Sequence, residues 1–151
     1  MTSSSAAPQP SRDPGLATIA RRFMEEWARP NADRLVELLH PDARLTQPVT
    51  PEIRGKEAAR REFTRLLQWL PDCAGEVDAI AANGDTLLIA WRLRFTVGGR
   101  PYELRIVDRI VGRDGLIVER EAYFNSLHFF LTVLRRPSAW LGYLRYRGYL
   151  P

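Results

Sequence analysis

Between Thr86 and Phe124 apolar and charged residues alternate, and one carboxylate, Asp108, falls in the apolar phase. A two-residue turn at Gly98-Gly99 sets Val97 opposite Arg100, which brings Ile89 across from Asp108, Trp91 from Ile106 and Phe95 from Tyr102. A three-residue loop over Arg113-Asp114-Gly115 sets Gly112 opposite Leu116 and therefore Asp108 opposite Arg120. A charge on an apolar face is costly unless it is paired. One reading of Asp108 with Arg120 is an ion pair that pins strand register and does nothing else. The other is a pair lining a cavity, where burial pushes the acid up and the guanidinium pulls it down. The balance of the two decides whether Asp108 acts as an acid or a base.

Gln47, next to Pro48, is the second candidate, because a side-chain amide there can hold a water or a substrate carbonyl; it also reads as an ordinary loop residue. Phe23, Trp91, Phe95 and Tyr102 form either an aromatic wall or plain core. His128 follows the last strand, within reach of a cavity mouth, and His40 before Pro41 reads as a helix C-terminal cap. Cys73 has no partner for a nucleophile arrangement. The sequence has no phosphate-cradling glycine loop, no metal-spaced cluster of His, Asp and Glu, and no Gly-x-Ser-x-Gly elbow, so no cofactor or metal is expected.

These residues need elements to position them. Asp13 and Pro14 start a helix whose apolar face carries Leu16, Ile19, Ala20, Phe23, Met24 and Trp27 until Pro30 stops it. Asn31 caps a short second helix with Leu35, Leu38 and Leu39. Ala43 to Gln47 reads as a short strand, and Lys56 to Leu70 as a third helix with Ala59, Phe63, Leu66, Leu67 and Leu70 on one side. From Cys73 onward the period drops to two, and turn signals at Asn83-Gly84, Gly98-Gly99 and Asp114-Gly115 mark four antiparallel strands. Ile89, Trp91, Leu93, Phe95, Tyr102, Leu104, Ile106, Ile110, Val118, Ala122 and Phe124 share the apolar face. Arg92, Arg94, Glu103, Arg105, Arg109, Glu119 and Glu121 share the other, with Arg94 opposite Glu103 and Arg109 opposite Glu119. The expectation is an α+β layer, a curved antiparallel sheet covered by helices.

At 151 residues the chain holds one core, and a hydrophobic fraction of 45% supports it. One cysteine excludes an internal disulfide, and no apolar run is long enough to span a membrane, which predicts a cytoplasmic protein. All 18 acidic residues precede Phe124, whereas four of the 22 basic ones follow it, Arg135, Arg136, Arg145 and Arg147. The net charge of +4 therefore belongs to the tail, and a neutral body argues against nucleic acid as a partner. The segments predicted are a disordered lead over 1–13, a domain over 14–128 and a basic, aromatic helical extension over 129–151. Its helices, Leu127 to Leu134 and Ala139 to Tyr149, carry Phe129, Phe130, Trp140, Tyr143, Tyr146 and Tyr149. They suit packing on the domain, a partner subunit, or peripheral contact with an anionic membrane.

The order of elements, the Gly55-Lys56-Glu57-Ala58-Ala59 opening of the third helix, and the meander with Asp108 before Asp114-Gly115 and Ile117 to Phe124 resemble the NTF2-like superfamily. Within it the likeness is to the SnoaL-like cyclases, ketosteroid isomerases and limonene epoxide hydrolases, over about Pro14 to His128. The resemblance implies a cone-shaped barrel with N-terminal helices packed on a curved antiparallel sheet, a hydrophobic small-molecule pocket and a homodimer formed through the outer sheet face. Matched residue by residue, the isomerases' general base falls on Gln47, their oxyanion-hole tyrosine on Phe23, and their protonated acid on Asp108. The epoxide hydrolases' Arg and Asp fall on Ile89 and Trp91, their second Asp on Ala122, and their water-holding Asn on Gln47. Neither full set is present. The expected site is thus Asp108, Arg120 and Gln47 for catalysis, with Phe23, Ile89, Trp91, Tyr102, Phe124 and His128 around the substrate. A non-catalytic ligand-binding or interaction domain, its pocket filled by its own side chains, is the rival expectation.

Overall fold

The computed structural model describes residues 13–150; the lead over Met1 to Arg12 lies outside the described residues, as does Pro151. Helix α1 (Pro14–Ala28) begins where the Asp13 carboxylate accepts the Gly15 N–H at 2.8 Å. It buries Leu16, Ile19, Phe23 and Trp27. Met24, expected on this face, is 42% exposed, because one step past Phe23 turns it about 100° off a narrow stripe. Helix α2 (Ala32–Val36) is capped by Asn31, whose side chain accepts the Asp33 and Arg34 N–H groups. Strand β1 (Leu39–Thr46) starts earlier than expected, and His40 lies inside it instead of capping α2. The Ile117 N–H donates to the Leu38 carbonyl at 2.8 Å, drawing the chain into the sheet before Pro41.

A two-residue strand β2 (Ile53–Arg54), which the sequence pattern does not signal, pairs with β1. Helix α3 (Lys56–Trp69) buries Ala59 and Phe63. Strands β3 (Ala74–Asn83), β4 (Thr86–Val97), β5 (Arg100–Arg113) and β6 (Leu116–Phe124) follow. The six strands form a curved, unclosed sheet in the order β2-β1-β6-β5-β4-β3. It is mixed and not wholly antiparallel, since β1 runs parallel to β6. Helix α4 (Ser126–Leu134), a 3-10 turn (Pro137–Ala139) and helix α5 (Trp140–Tyr146) complete the chain as described. No helix among the described residues is long and apolar enough to cross a membrane.

Pairing of β4 with β5 follows the expected register throughout, from Val97 opposite Arg100 to Ile89 opposite Asp108. Pairing of β5 with β6 does not. Asp114 and Gly115, with φ of 53° and 74°, make a two-residue turn in place of a three-residue loop, and a bulge follows next to Gly112. Together they move the ladder by two residues, so Asp108 pairs with Ala122, Ile110 with Arg120 and Arg109 with Glu121. The bulge also exchanges neighbours: Ile117 takes the core position expected for Val118. A shift of two preserves the face of every residue beyond the bulge.

Outside, Arg94 Nε donates to Glu103 at 3.0 Å across the β4–β5 ladder, and Arg109 still reaches Glu119 at 3.8 Å. The outer face, expected to be charged, also exposes Leu88, Val107 and Tyr123 among those pairs.

Candidate active site

Asp108 is 0% exposed and Arg120 7%, the two buried charged residues among those described. The diagonal offset of the shifted ladder still lets Arg120 Nη2 donate to Asp108 Oδ2 at 3.0 Å. Trp91 Nε1 donates to the same oxygen at 2.9 Å. Asp108 Oδ1 and Arg120 Nε have no hydrogen-bond partner. Burial pushes the Asp108 carboxyl above its ordinary value, and Arg120 and Trp91 pull it only part of the way back. The Arg120 guanidinium also lies 5.4 Å from the Trp27 ring centre and 5.9 Å from that of Phe23, so two aromatic faces share its charge.

Arg120 forms part of the wall of a cavity of about 80 Å³ between the sheet, α3 and the tail. Trp27, Phe63, Trp69, Trp91, Phe95 and Phe129 supply most of its apolar surface. Of the residues singled out in the sequence, Gln47, Trp91 and Phe124 also line it. Asp108 does not: it sits behind the wall, bound by two lining residues, Arg120 and Trp91. Phe23 and Ile89 are packed out of the cavity, Phe23 edge-on to Trp91 at 5.3 Å. Neither lines the cavity, since side chains on the apolar face of the sheet fill the core under α1 before the cavity begins. Tyr102 and His128 are also outside it, stacked on each other at 6.0 Å, with His128 exposed. Asn125 caps α4 by accepting the His128 N–H, which turns that helix so that Phe129 enters the cavity and His128 faces out.

The tail closes the other side. Tyr146 of α5 stacks on Trp69 at 4.9 Å and 17°, and its hydroxyl donates to Glu62 of α3. Gly142 lets α5 approach, because a Cβ there would stand 2.9 Å from the Trp69 ring. Arg136 donates to the Val97 and Arg100 carbonyls at 2.8 and 3.1 Å, tying the tail to the β4–β5 turn. Packing on the domain is therefore what the structure shows for the inner aromatic residues of the tail, although Leu127, Phe130, Leu141 and Leu144 stay exposed.

Glu62 is the site residue that the reading of the sequence missed. It lies three residues after Ala59 and four before Leu66, so a carboxylate stands inside the apolar stripe of α3, as Asp108 does on β5. Cys73 is buried, and burial pushes its thiol up to about 11, which leaves it protonated and unreactive.

An open sheet with helices on its apolar face, a cavity between them, and a short strand running parallel to β6 defines an NTF2-like protein. The sequence profile of the SnoaL-like domain family matches residues 20–120, and the chain belongs to that family. Among solved structures it is similar to a candidate SnoaL-like polyketide cyclase from a Jannaschia species, with 19% identity, 83% of this chain and 97% of that one covered, and a TM-score of 0.70. It is similar to an NTF2-like protein of unknown function from Burkholderia pseudomallei, with 19% identity, coverage of 80% and 98%, and a TM-score of 0.71. The third is IdmH, a candidate polyketide cyclase from Streptomyces antibioticus, with 24% identity, coverage of 80% and 99%, and a TM-score of 0.67. Likeness at these identities shows the fold. No curated protein sequence matches the chain.

Proposed function

We propose that the protein is an enzyme of isomerase, cyclase or hydrolase type that acts on a hydrophobic small molecule in this cavity by acid–base chemistry. The observation that carries the reading is Arg120, a nearly buried cation set in an aromatic wall with its Nε unpaired. A guanidinium held there in advance steadies negative charge that develops on a substrate oxygen, and the low-dielectric surroundings strengthen the effect. Asp108 holds the guanidinium from behind and fixes its position in the wall. Gln47 offers an amide to orient a carbonyl or a water.

A second reading, a non-catalytic binding domain, is favoured by the size of the cavity. About 80 Å³ is below the roughly 150 Å³ of an apolar cavity known to hold benzene, so a larger molecule has to displace the tail. Native mass spectrometry and thermal shift against a panel of apolar ketones and phenols test both readings. The enzyme reading expects a ligand that raises the melting temperature of the wild type, fails to do so with Arg120→Met, and is converted. Gln47→Leu repeats the test at a less buried position. A ligand retained unchanged by the wild type supports the second reading.

We also propose a homodimer through the outer sheet face. Leu88, Val107 and Tyr123 supply apolar contact there, and the Arg94–Glu103 and Arg109–Glu119 pairs set the register.

A further inference from the structure

Two charged residues line the cavity, Arg120 and Glu62. The Glu62 side chain is 12% exposed. Its Oε1 accepts from Gln47 Nε2 at 3.4 Å and from the Tyr146 hydroxyl, and its Oε2 lies 3.8 Å from Arg65 at the rim. Tyr146 is held flat against Trp69, and burial beside Glu62 pushes its hydroxyl up, so that it remains a donor. Glu62 Oε1 therefore stands in the cavity wall within reach of a bound molecule once the Tyr146 hydroxyl moves aside. In the same cavity a cation is placed to receive the charge that proton removal creates.

We propose that Glu62 is the general base of this cavity, taking a proton from a carbon acid whose oxyanion Arg120 stabilises, and that Tyr146 covers the carboxylate until substrate displaces it. The proposal rests on the enzyme reading above. The C–H bond breaks, its proton goes to a Glu62 carboxylate oxygen, and its electron pair moves through the adjacent carbonyl to leave an enolate. Where a C=C is conjugated with the enolate, return of the proton from Glu62 at its far carbon gives an isomer; attack of the enolate carbon on a second carbonyl closes a ring, and the alkoxide so formed takes the proton back from Glu62. Neither route needs an oxidant or a further reactant. The substrate class is therefore an apolar, largely aromatic ketone with an acidic C–H.

The test uses 5-nitrobenzisoxazole, a flat aromatic carbon acid. Removal of its C3 proton breaks the ring N–O bond and releases a coloured cyanophenolate. The full chain should turn the probe over faster than an equal concentration of acetate, with a primary isotope effect for deuterium at C3. Glu62→Gln should lower the rate about 100-fold, the scale of a positioned general base. Glu62→Asp should recover part of it, and Tyr146→Phe should raise the rate by freeing the carboxylate oxygen. Turnover by Glu62→Gln at the wild-type rate overturns the proposal. If Arg120→Met alone abolishes that turnover, the enzyme reading survives with its base elsewhere. If Glu62→Gln abolishes it and Arg120→Met leaves it intact, Glu62 stands and the oxyanion role of Arg120 falls. A probe that neither quenches the cavity tryptophans nor reacts also overturns the proposal, because a base that no small carbon acid reaches does no chemistry.

Discussion

Arg120 meets Asp108 on the diagonal, two residues along the strand from Ala122, the residue paired with it, and binds one carboxylate oxygen while the other has no partner. The carboxyl is raised above its ordinary value because burial outweighs the contacts with Arg120 and Trp91. A raised value in the folded state means that the fold holds the proton more tightly than the unfolded chain does. The stability this contributes is complete below the ordinary carboxylate value of 3.8 and is lost as pH rises through the folded-state value. Urea unfolding should therefore show the wild type losing stability relative to Asp108→Asn as pH climbs above about 4. A gap that widens in favour of the wild type with rising pH would contradict this.

Near neutral pH, Asp108→Asn keeps an acceptor for Trp91 and Arg120. Its cost should stay below the ~3 kcal/mol typical of breaking a buried ion pair. Asp108→Leu strands both donors and should exceed that figure. Denaturant midpoints of the two variants, measured in one buffer, give the comparison.

At Gly75 a Cβ would stand 2.9 Å from the Trp91 ring, 3.0 Å from Trp27 Cβ and 3.1 Å from the Trp27 carbonyl oxygen. Backbone on one side leaves little room to yield. Gly75→Ala should cost about 1–3 kcal/mol by overpacking. Both tryptophans line the cavity, so their fluorescence should shift along with the melting temperature.

Removal of Leu134 to Pro151 takes away the Tyr146–Trp69 stack and the buried Ala139 contact. A loss of about 2 kcal/mol would lower the melting temperature by roughly 4–8 °C for a chain of this size. Sedimentation with anionic vesicles provides the control. Lost lipid binding with an unchanged melting temperature would show that the tail serves a membrane and not its own domain.

Light scattering at micromolar concentration should return about twice the 17.3 kDa chain mass. Leu88→Glu with Val107→Glu should halve it without altering the near-ultraviolet spectrum of the core tryptophans.

Where the chain makes its contacts decides which features were legible in advance. The β4–β5 register is local, set by Gly98 and Gly99 with φ of 59° and 73°, and the alternation around it is strict. The next hairpin offered Asp114-Gly115, the favoured composition of a two-residue turn. The turn and the bulge together move the ladder by two residues, so the apolar face and the Asp108–Arg120 ion pair were readable even though the ladder partner of Asp108, Ala122, was not. The β1–β6 pairing joins segments about 75 residues apart, and no local pattern announces it. The cavity has the same origin. Gln47, Glu62, Arg120 and Tyr146 belong to four separate elements or loops, and Asp108 and Arg120 carried the signal of charge in an apolar phase at strand spacing. Glu62 carried that signal on α3, at helical rather than strand spacing.

Tyr146 reaches Glu62 across 84 residues, and Arg147 reaches the Val49 carbonyl across 98. Contacts of such sequence separation cost the most chain entropy and form after the local hairpins. Docking of α5 on an assembled sheet is therefore expected as the last step of folding. Substitutions at Tyr146 or Gly142 should speed unfolding and leave the folding rate nearly unchanged. Because α5 covers the cavity, a ligand present during refolding should bind faster than one added to the folded chain.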